Sequence, residues 1–289
     1  MQLSRIRALA SIGVTAVIAA AGVAVATAPA QGATPTYAPT GTATIHPGVM
    51  MYTAGAQCTA NFVYTDGAGD TFVGYAAHCA GTGAETDTNG CTTRSLPLGT
   101  PVNFAEGGNL LSEGATVGTG TLAYSSWLTM QSTGEKDPNT CAYNDLALVK
   151  VAAADTSKVN PSVPFWGGPV GTDSSGTAAG DKVYSFGNSS LRAGIGLLSP
   201  KIGTSLGDDP ANGGWSHPVY TVTPGIPGDS GSGFMDATGH ALGVLSTLAV
   251  APLPGSNGVG DLNKELAYAQ ATIDGLTLVP GTQPFAPTL

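Results

Sequence analysis

Short apolar runs, separated by clusters of glycine, proline, aspartate and asparagine, cover most of the chain after residue 48. Runs of this length and spacing predict β-strands, and the clusters between them predict turns. The predicted strands are 49–52, 58–65, 71–77, 101–104, 115–124, 145–151, 182–186, 194–202, 217–223, 233–235 and 241–248. The turn at 66–70 predicts a hairpin that ends at His78.

One segment near the C-terminus has the period of a helix. Its apolar residues recur at i, i+4, i+7 and i+11, which places them on one face of a helix: Leu262, Leu266, Ala269 and Ile273. Asp261 is a suitable N-cap and Gly275 a suitable stop. The polar stretch 131–139 is predicted as a surface loop, so this is the only helix expected after the N-terminal leader. The pattern as a whole predicts an all-β fold with a C-terminal α-helix.

The first 30 residues have the organisation of an export signal. Two arginines precede the uncharged, Ala- and Val-rich run 9–26, and Ala28-Pro29-Ala30 supplies a small-x-small cleavage pattern. A membrane anchor is the alternative, since a span needs about 18 apolar residues. The small residues that follow the run favour cleavage. We therefore expect a signal peptide over 1–30, a short lead-in or pro-segment over 31–44, a secreted, extracellular protein, and no stable membrane association afterwards.

Composition supports strands and turns rather than long helices, because the 289 residues include 42 Gly and 20 Pro and only 10% are charged. The net charge of −9, with scattered Lys and Arg, offers no basic patch for nucleic acid. The length allows one large β domain or two packed halves. Three prolines in 160–169 indicate a crossing between halves, which we place at 45–160 and 161–289.

The chain has four cysteines, an even number that predicts two disulfides in an exported protein, with three possible connectivities. We favour Cys58–Cys79, which would close the predicted hairpin, and hence Cys91–Cys141. A zinc site that combines His78 with these cysteines is the rival interpretation. No Cys-x₂₋₄-Cys spacing is present, so neither a metal nor another cofactor is expected.

The stretch 227–233, Pro-Gly-Asp-Ser-Gly-Ser-Gly, places Ser230 in a glycine-rich turn before a predicted strand. A serine hydroxyl becomes a strong nucleophile only with a general base and a group that orients the base. His78 lies at a strand end beside Cys79, and Asp145 opens an apolar run. The remaining histidines have no comparable context and are interpreted as ordinary surface residues: His46, His217 and His240.

Three motifs, Ala-His-Cys at 77–79, Asn-Asp-Leu-Ala-Leu at 144–148 and Gly-Asp-Ser-Gly at 228–231, give the chain a resemblance to secreted bacterial-type serine proteases of the chymotrypsin (trypsin-like) family. The order His, Asp, Ser is that of this family, whereas α/β-hydrolases have the order Ser, Asp, His. The resemblance implies two six-stranded antiparallel Greek-key β-barrels and a serine endopeptidase. It also implies a triad of His78, Asp145 and Ser230, with the amides of Gly228 and Ser230 as the oxyanion hole.

Polypeptide substrates and a monomeric protein are expected from this resemblance, but the usual specificity residues are missing. Pro224 stands where trypsin-like members carry an aspartate that attracts Lys or Arg. If Ser246 pairs with the substrate, Leu245 stands where specialists for acidic residues carry a histidine. An apolar or small-residue pocket is therefore the default. Ser246, Thr247 and Leu248 are expected to pair with an extended substrate.

Two other functions stay open at this point. One is a catalytically silent protein of the same fold that acts as a binding or surface protein. The other is a secreted esterase, although α/β-hydrolases need many helices and Gly-x-Ser-x-Gly, whose last position is Ser232 here. The resemblance also implies a buried partner for the Asp229 carboxylate. That partner is Arg192, Arg94 or a new N-terminus, since no Ile-Val-Gly-Gly-like activation site precedes the first half.

Overall fold

The computed structural model describes residues 35–84, 87–249 and 254–287, and most of its regular structure is β-strand. These residues belong to one compact unit, Gln31–Leu289. The expected signal peptide, 1–30, and the first part of the expected lead-in lie outside the described residues. Among the residues that are described, no helix has the length and apolar character needed to cross a membrane.

The regular elements, in chain order, follow the predicted spacing for most of the chain. The strands are β1 (Met50–Thr53), β2 (Ala56–Thr59), β3 (Val63–Thr65), β4 (Thr71–Ala76), β5 (Pro101–Glu106), β6 (Ala115–Ser125), β7 (Leu146–Val151), β8 (Lys182–Phe186), β9 (Pro200–Ser205), β10 (Ser216–Thr221), β11 (Gly233–Met235), β12 (Ala241–Ala249), β13 (Ser256–Asp261) and β14 (Thr277–Leu278). The α-helices are α1 (Ser126–Thr133), α2 (Pro138–Tyr143) and α3 (Leu262–Gln270).

The first sheet is curled into a half-barrel with the strand order β14-β3-β4-β7-β6-β5-β1-β2, and all its neighbours are antiparallel. Every residue of β4 is buried, and in β7 only Lys150 is exposed. Both faces of these strands are covered because α3 packs against β7 and β12 packs against β4. That double burial explains why both segments are nearly continuous apolar runs in the sequence.

The second sheet is a closed barrel with the order β10-β13-β12-β11-β8-β9. β8, β9 and β10 are successive neighbours, and β11 returns beside β8, which is the Greek-key arrangement. Its interior is filled by apolar side chains: Val183, Val219, Phe234, Leu242, Leu245 and Val259. The predicted chymotrypsin-type two-barrel fold is confirmed, with the difference that the first sheet is a half-barrel of eight strands rather than six, because the predicted strand 58–65 is divided into β2 and β3 and because β14 joins the sheet.

Several segments differ from their predictions, and β13 and β14 were not predicted at all. Residues 131–133 end α1 and 138–139 begin α2, so the surface loop predicted over 131–139 is confined to 134–137, and the prediction of a single helix was wrong. Gly134 (φ 70°) is the C-cap of α1, and Asp137 caps α2 by accepting the Thr140 N–H at 2.8 Å. The strand predicted over 194–202 instead begins at Pro200 and runs to Ser205. The residues before it form a loop with two short 3₁₀ turns.

The C-terminal helix begins as predicted, since the Asp261 carboxylate accepts the Lys264 N–H at 2.8 Å. The helix ends at Gln270, before the predicted stop. Its buried face carries Leu262, Leu266 and Ala269 as expected, and also Glu265. The following strand β14 pairs with β3 of the first sheet. The chain therefore returns from the second barrel to the first, and the division at residue 160 stays a prediction.

Candidate active site

His78 lies in a short 3₁₀ turn, Ala77–Ala80, that directly follows β4. It is held from two sides. The Ala77 N–H donates to the Asp145 carbonyl at 2.6 Å, and Cys79 is joined to Cys58 in a disulfide. The cysteine sulfurs and a ring nitrogen of His78 lie within 4.8 Å of one another, but sulfurs joined to each other are not the thiolate ligands that zinc requires. The second disulfide joins Cys91 and Cys141.

Asp145 directly precedes β7, and its side chain is only 5% exposed. Its carboxylate accepts three hydrogen bonds: Oδ1 from the His78 N–H at 2.8 Å, and Oδ2 from His78 Nδ1 and Ser246 Oγ, each at 2.6 Å. Burial by itself would lower the pKa of His78. The charge of Asp145 and its hydrogen bond outweigh burial, so the pKa of His78 is raised above its ordinary value.

Ser230 lies in a tight turn between β10 and β11. The turn is closed by the Asp229 N–H on the Ile226 carbonyl (2.8 Å) and the Ser232 N–H on the Asp229 carbonyl (3.0 Å). Gly231 has φ +87°, and a side chain there would come within 2.7 Å of the Ala76 nitrogen and the Thr59 oxygen. Only glycine permits this approach. The turn therefore packs against the end of β4, two residues before His78.

The three predicted triad residues are thus brought to one place, with different degrees of contact. The Thr59 N–H donates to the Ser230 carbonyl at 2.8 Å, next to the Cys58–Cys79 disulfide. His78 and Asp145 are hydrogen-bonded. The Ser230 hydroxyl makes no hydrogen bond to either of them.

The N–H groups of Gly228 and Ser230 donate no hydrogen bond to any described residue, whereas the carbonyls beside them are held. The Pro227 carbonyl accepts from Ser189 Oγ at 2.6 Å, and the Gly228 carbonyl accepts from Thr59 Oγ1 at 2.7 Å. Gly228 has φ +92°, a conformation that favours glycine. Oxyanion holes are built from backbone N–H groups that have no partner within the protein.

Asp229 is fully buried between two cations. Its Oδ2 lies 2.6 Å from Arg192 Nη2 and 3.0 Å from Lys201 Nζ. Of the partners left open by the sequence, the structure places Arg192 there, while Arg94 is exposed. Lys201 was not anticipated. Burial lowers its pKa; the attraction of Asp229 opposes that shift, and the charge of Arg192 adds to it.

The predicted substrate-pairing residues lie on β12, which pairs with β11 only as far as Val244. Leu245 then exchanges backbone hydrogen bonds with Gly231 and Ser232. Beyond it, no strand among the described residues covers that edge of Ser246, Thr247 and Leu248. The Leu248 side chain is 54% exposed. The Pro224 carbonyl accepts a hydrogen bond from Arg192 Nη2 at 2.7 Å.

His217 is not the surface residue that the sequence suggested. It is buried in β10, with Nδ1 2.6 Å from Asp208 Oδ1 and Nε2 2.9 Å from Asp261 Oδ2. Burial would lower its pKa, but the hydrogen bonds to the two carboxylates and their charges outweigh burial and raise it. Neither partner is its neighbour in the sequence, so no local pattern identifies this cluster.

No protein-family model and no curated protein matches the chain. Solved structures with a similar fold include Thermobifida fusca protease A (19% identity, 82% of this chain and 99% of that one, TM-score 0.48). Nocardiopsis protease is similar at 19% identity (81% and 98%, TM-score 0.47), and Cellulomonas bogoriensis chymotrypsin at 18% (81% and 98%, TM-score 0.46). The inference about function therefore rests on the geometry of the site itself.

Proposed function

We propose that the protein is a secreted serine endopeptidase, active as a monomer, with Ser230 as nucleophile, His78 as general base and Asp145 as the group that orients the base. One observation carries the proposal. The buried Asp145 carboxylate binds His78 Nδ1 at 2.6 Å and so fixes the tautomer whose Nε2 is free to accept a proton. A histidine held in this way beside a serine in a glycine-rich turn is suited to acyl transfer.

The chemistry follows from these positions. His78 Nε2 takes the Ser230 proton as Oγ bonds to the substrate carbonyl carbon, and the resulting oxyanion accepts hydrogen bonds from the Gly228 and Ser230 amides. The imidazolium, stabilised by Asp145, then gives its proton to the leaving nitrogen as the peptide bond breaks. Water attacks the acyl-enzyme by the same route in reverse, which returns the proton to Ser230 and releases the acid. Each donor in an oxyanion hole is worth about 3–4 kcal/mol in such reactions.

The substrate in this proposal is an extended polypeptide. The open edge of Ser246 to Leu248 offers backbone donors and acceptors to a segment that pairs as an added strand. Pro224 has no charge to attract a basic side chain. We therefore propose that the residue before the cleaved bond is apolar or small.

The test is hydrolysis of a mixed peptide library by the processed protein, with products identified by mass spectrometry. Internal cleavage after apolar or small residues by the wild-type protein, and none by Ser230→Ala, is the expected result. A folded wild-type protein that cleaves no peptide would instead favour the catalytically silent alternative. Cleavage of simple esters without cleavage of peptides would favour the esterase.

A further inference from the structure

The backbone of Asp145 has a partner that catalysis by a triad does not by itself require. The Asp145 N–H donates to Oε1 of Glu265 at 2.8 Å. Glu265 is fully buried in the first turns of α3, and its Oε2 makes no hydrogen bond to any described residue. Asp145 is therefore held at three points: its carboxylate by His78 and Ser246, its carbonyl by the Ala77 N–H, and its amide by Glu265.

Local structure fits Glu265 to this position. Asp261 caps α3 and so fixes where the helix begins and which residues face β7. Gly260, at the end of β13, leaves room for the carboxyl group, because a side chain there would come within 2.5 Å of Glu265 Oε1. Glycine is thus required at position 260 beside the Glu265 carboxyl group. The Asp261 cap sets the direction in which Glu265 leaves the helix.

The groups around Glu265 favour its neutral form. The titratable groups that face it are the carboxylates of Asp145 and Asp261 and the phenols of Tyr64 and Tyr124. Burial raises the pKa of Glu265 well above its ordinary value; the hydrogen bond from the Asp145 amide opposes this, and the two negative charges add to it. A neutral carboxyl accepts the amide hydrogen bond through its carbonyl oxygen without repelling the Asp145 carboxylate.

We propose that Glu265 is a positioning residue: by accepting the Asp145 N–H it fixes the entry of β7 and so sets the place of Asp145 relative to His78. The inference rests on the proposed function, because positioning is measured through turnover. The proposal gives the C-terminal helix α3 a part in catalysis, because Glu265 on this helix holds the backbone N–H of Asp145.

The experiment compares Glu265→Gln, which keeps a neutral acceptor, with Glu265→Met, which has similar bulk but no oxygen. A displacement of about 1 Å costs roughly 100-fold in rate. We therefore expect Glu265→Met to lower kcat by 10- to 100-fold with little change in KM and to shift the acid limb of the pH profile. Glu265→Gln should recover kcat to within about threefold of the wild-type value and restore the limb.

Leu266→Ala is the matched control, because Leu266 lies on the same helix face in the core and does not contact Asp145 through a hydrogen bond. It should lower the melting temperature without changing kcat or the pH profile of the folded protein. If Glu265→Met behaves like Leu266→Ala, the inference is overturned. If the wild-type protein has no turnover at all, the proposed function fails instead, and the two failures are distinguished.

The protonation state has its own readout, which does not depend on whether Glu265→Met folds. The infrared spectrum of the wild-type protein at pH 8 should contain the carbonyl stretch of a protonated carboxyl group, and the spectrum of Glu265→Gln should lack that band. At this pH exposed carboxyl groups are ionised. A wild-type spectrum without the band would show that Glu265 is ionised at pH 8 and would contradict the neutral form.

Discussion

Lys201 Nζ and Asp229 Oδ2 lie 3.0 Å apart, and neither side chain is exposed to solvent. Arg192 contacts the same carboxylate oxygen, so one buried negative charge faces two positive charges. Asp229 also accepts the N–H groups of Ser189 and Ile226. The ion cluster therefore fastens the loop that carries the Gly228 and Ser230 amides, and both of its cations are side chains of the second half of the chain.

This arrangement predicts unequal effects for its members. Asp229→Asn leaves two buried cations without their counter-charge, and breaking a buried pair in this way costs about 3–5 kcal/mol. Lys201→Met leaves a neutral Arg192–Asp229 pair and removes a desolvated cation, so we expect a loss of no more than about 1 kcal/mol. Urea unfolding of the two variants measures the difference. Equal losses of unfolding free energy would contradict this prediction, because they would show that Asp229 needs both cations.

Activity should depend on the ionisation of His78 in a direction that the structure sets. The base must be neutral, and its pKa is raised, so kcat/KM should increase with pH through a value above the ordinary 6.5 or so. Asp145→Asn removes the charge that raises this pKa and the hydrogen bond that fixes the tautomer. We expect its kcat to fall about 10⁴-fold, and its acid limb to move to lower pH.

Asp66→Asn is the control for that experiment. Its carboxylate accepts hydrogen bonds only within its own turn, from the Ala68 and Asp70 amides. Rates and pH limbs are measured for all three proteins on one peptide. An acid limb in Asp145→Asn at the wild-type position would contradict the assignment of His78 and Asp145 as a pair.

The His217 cluster predicts a pH-dependent contribution to stability. The pKa of His217 is raised, so its contribution is complete below about 6.5, the unfolded value, and is lost as pH rises through the folded value. Burial would raise the pKa of Asp208, but the hydrogen bond and charge of His217 and the hydrogen bonds from Thr177 outweigh burial and lower it. Its contribution is therefore present above about 4 and lost as pH falls through the folded value.

His217→Gln should thus cost about 2 kcal/mol at pH 5.5, the scale of hydrogen bonds to charged groups, and less at pH 8.5. Above its raised pKa, neutral His217 has one N–H and can donate to only one of the two carboxylates. Urea unfolding of wild-type and variant protein at both pH values measures the change. His240→Gln, at a 42% exposed side chain, is the control. A penalty that does not change with pH would contradict a charged His217.

The two disulfides should differ in what they support. Their sequence separations are 21 and 50 residues, for which loop closure predicts stabilities of about 3 and 4 kcal/mol. Replacing Cys91 and Cys141 by alanine should therefore cost more stability than replacing Cys58 and Cys79. Only the replacement of Cys58 and Cys79 releases the residue next to His78, so this replacement should lower kcat more than the other one. A larger loss of kcat from the Cys91–Cys141 pair would contradict this division.

The sequence could identify residues whose surroundings are local. Ser230 stands among the glycines that its turn requires, and Asp145 opens the apolar run that becomes β7. Lys201 could not be found in this way. Apolar alternation would place Ile202 on the buried face of β9. In the structure Lys201 is buried and Ile202 is half-buried, because the face of β9 that carries Lys201 is directed towards Asp229.

Other features that the sequence did not predict also lack a local signal. The roles of Glu265 and His217 depend on partners 120 and 44 residues away, so no window of sequence contains both members of either contact. β13 was missed because Val259 is its only apolar residue, so it has no apolar alternation. The start of α2 was marked by Asp137 as N-cap and Pro138 in the first turn, and the polar composition of the stretch hid that signal.

The most direct test of the account is covalent trapping of Ser230 by a fluorophosphonate, with the modified residue mapped by mass spectrometry. Buried Ser232, two residues away, supplies the control. Wild-type and Ser232→Ala proteins should be labelled on Ser230 alone, at a rate that increases with pH as His78 loses its proton, and Ser230→Ala should not be labelled. Labelling elsewhere, or a folded wild-type protein that does not react, would contradict the account.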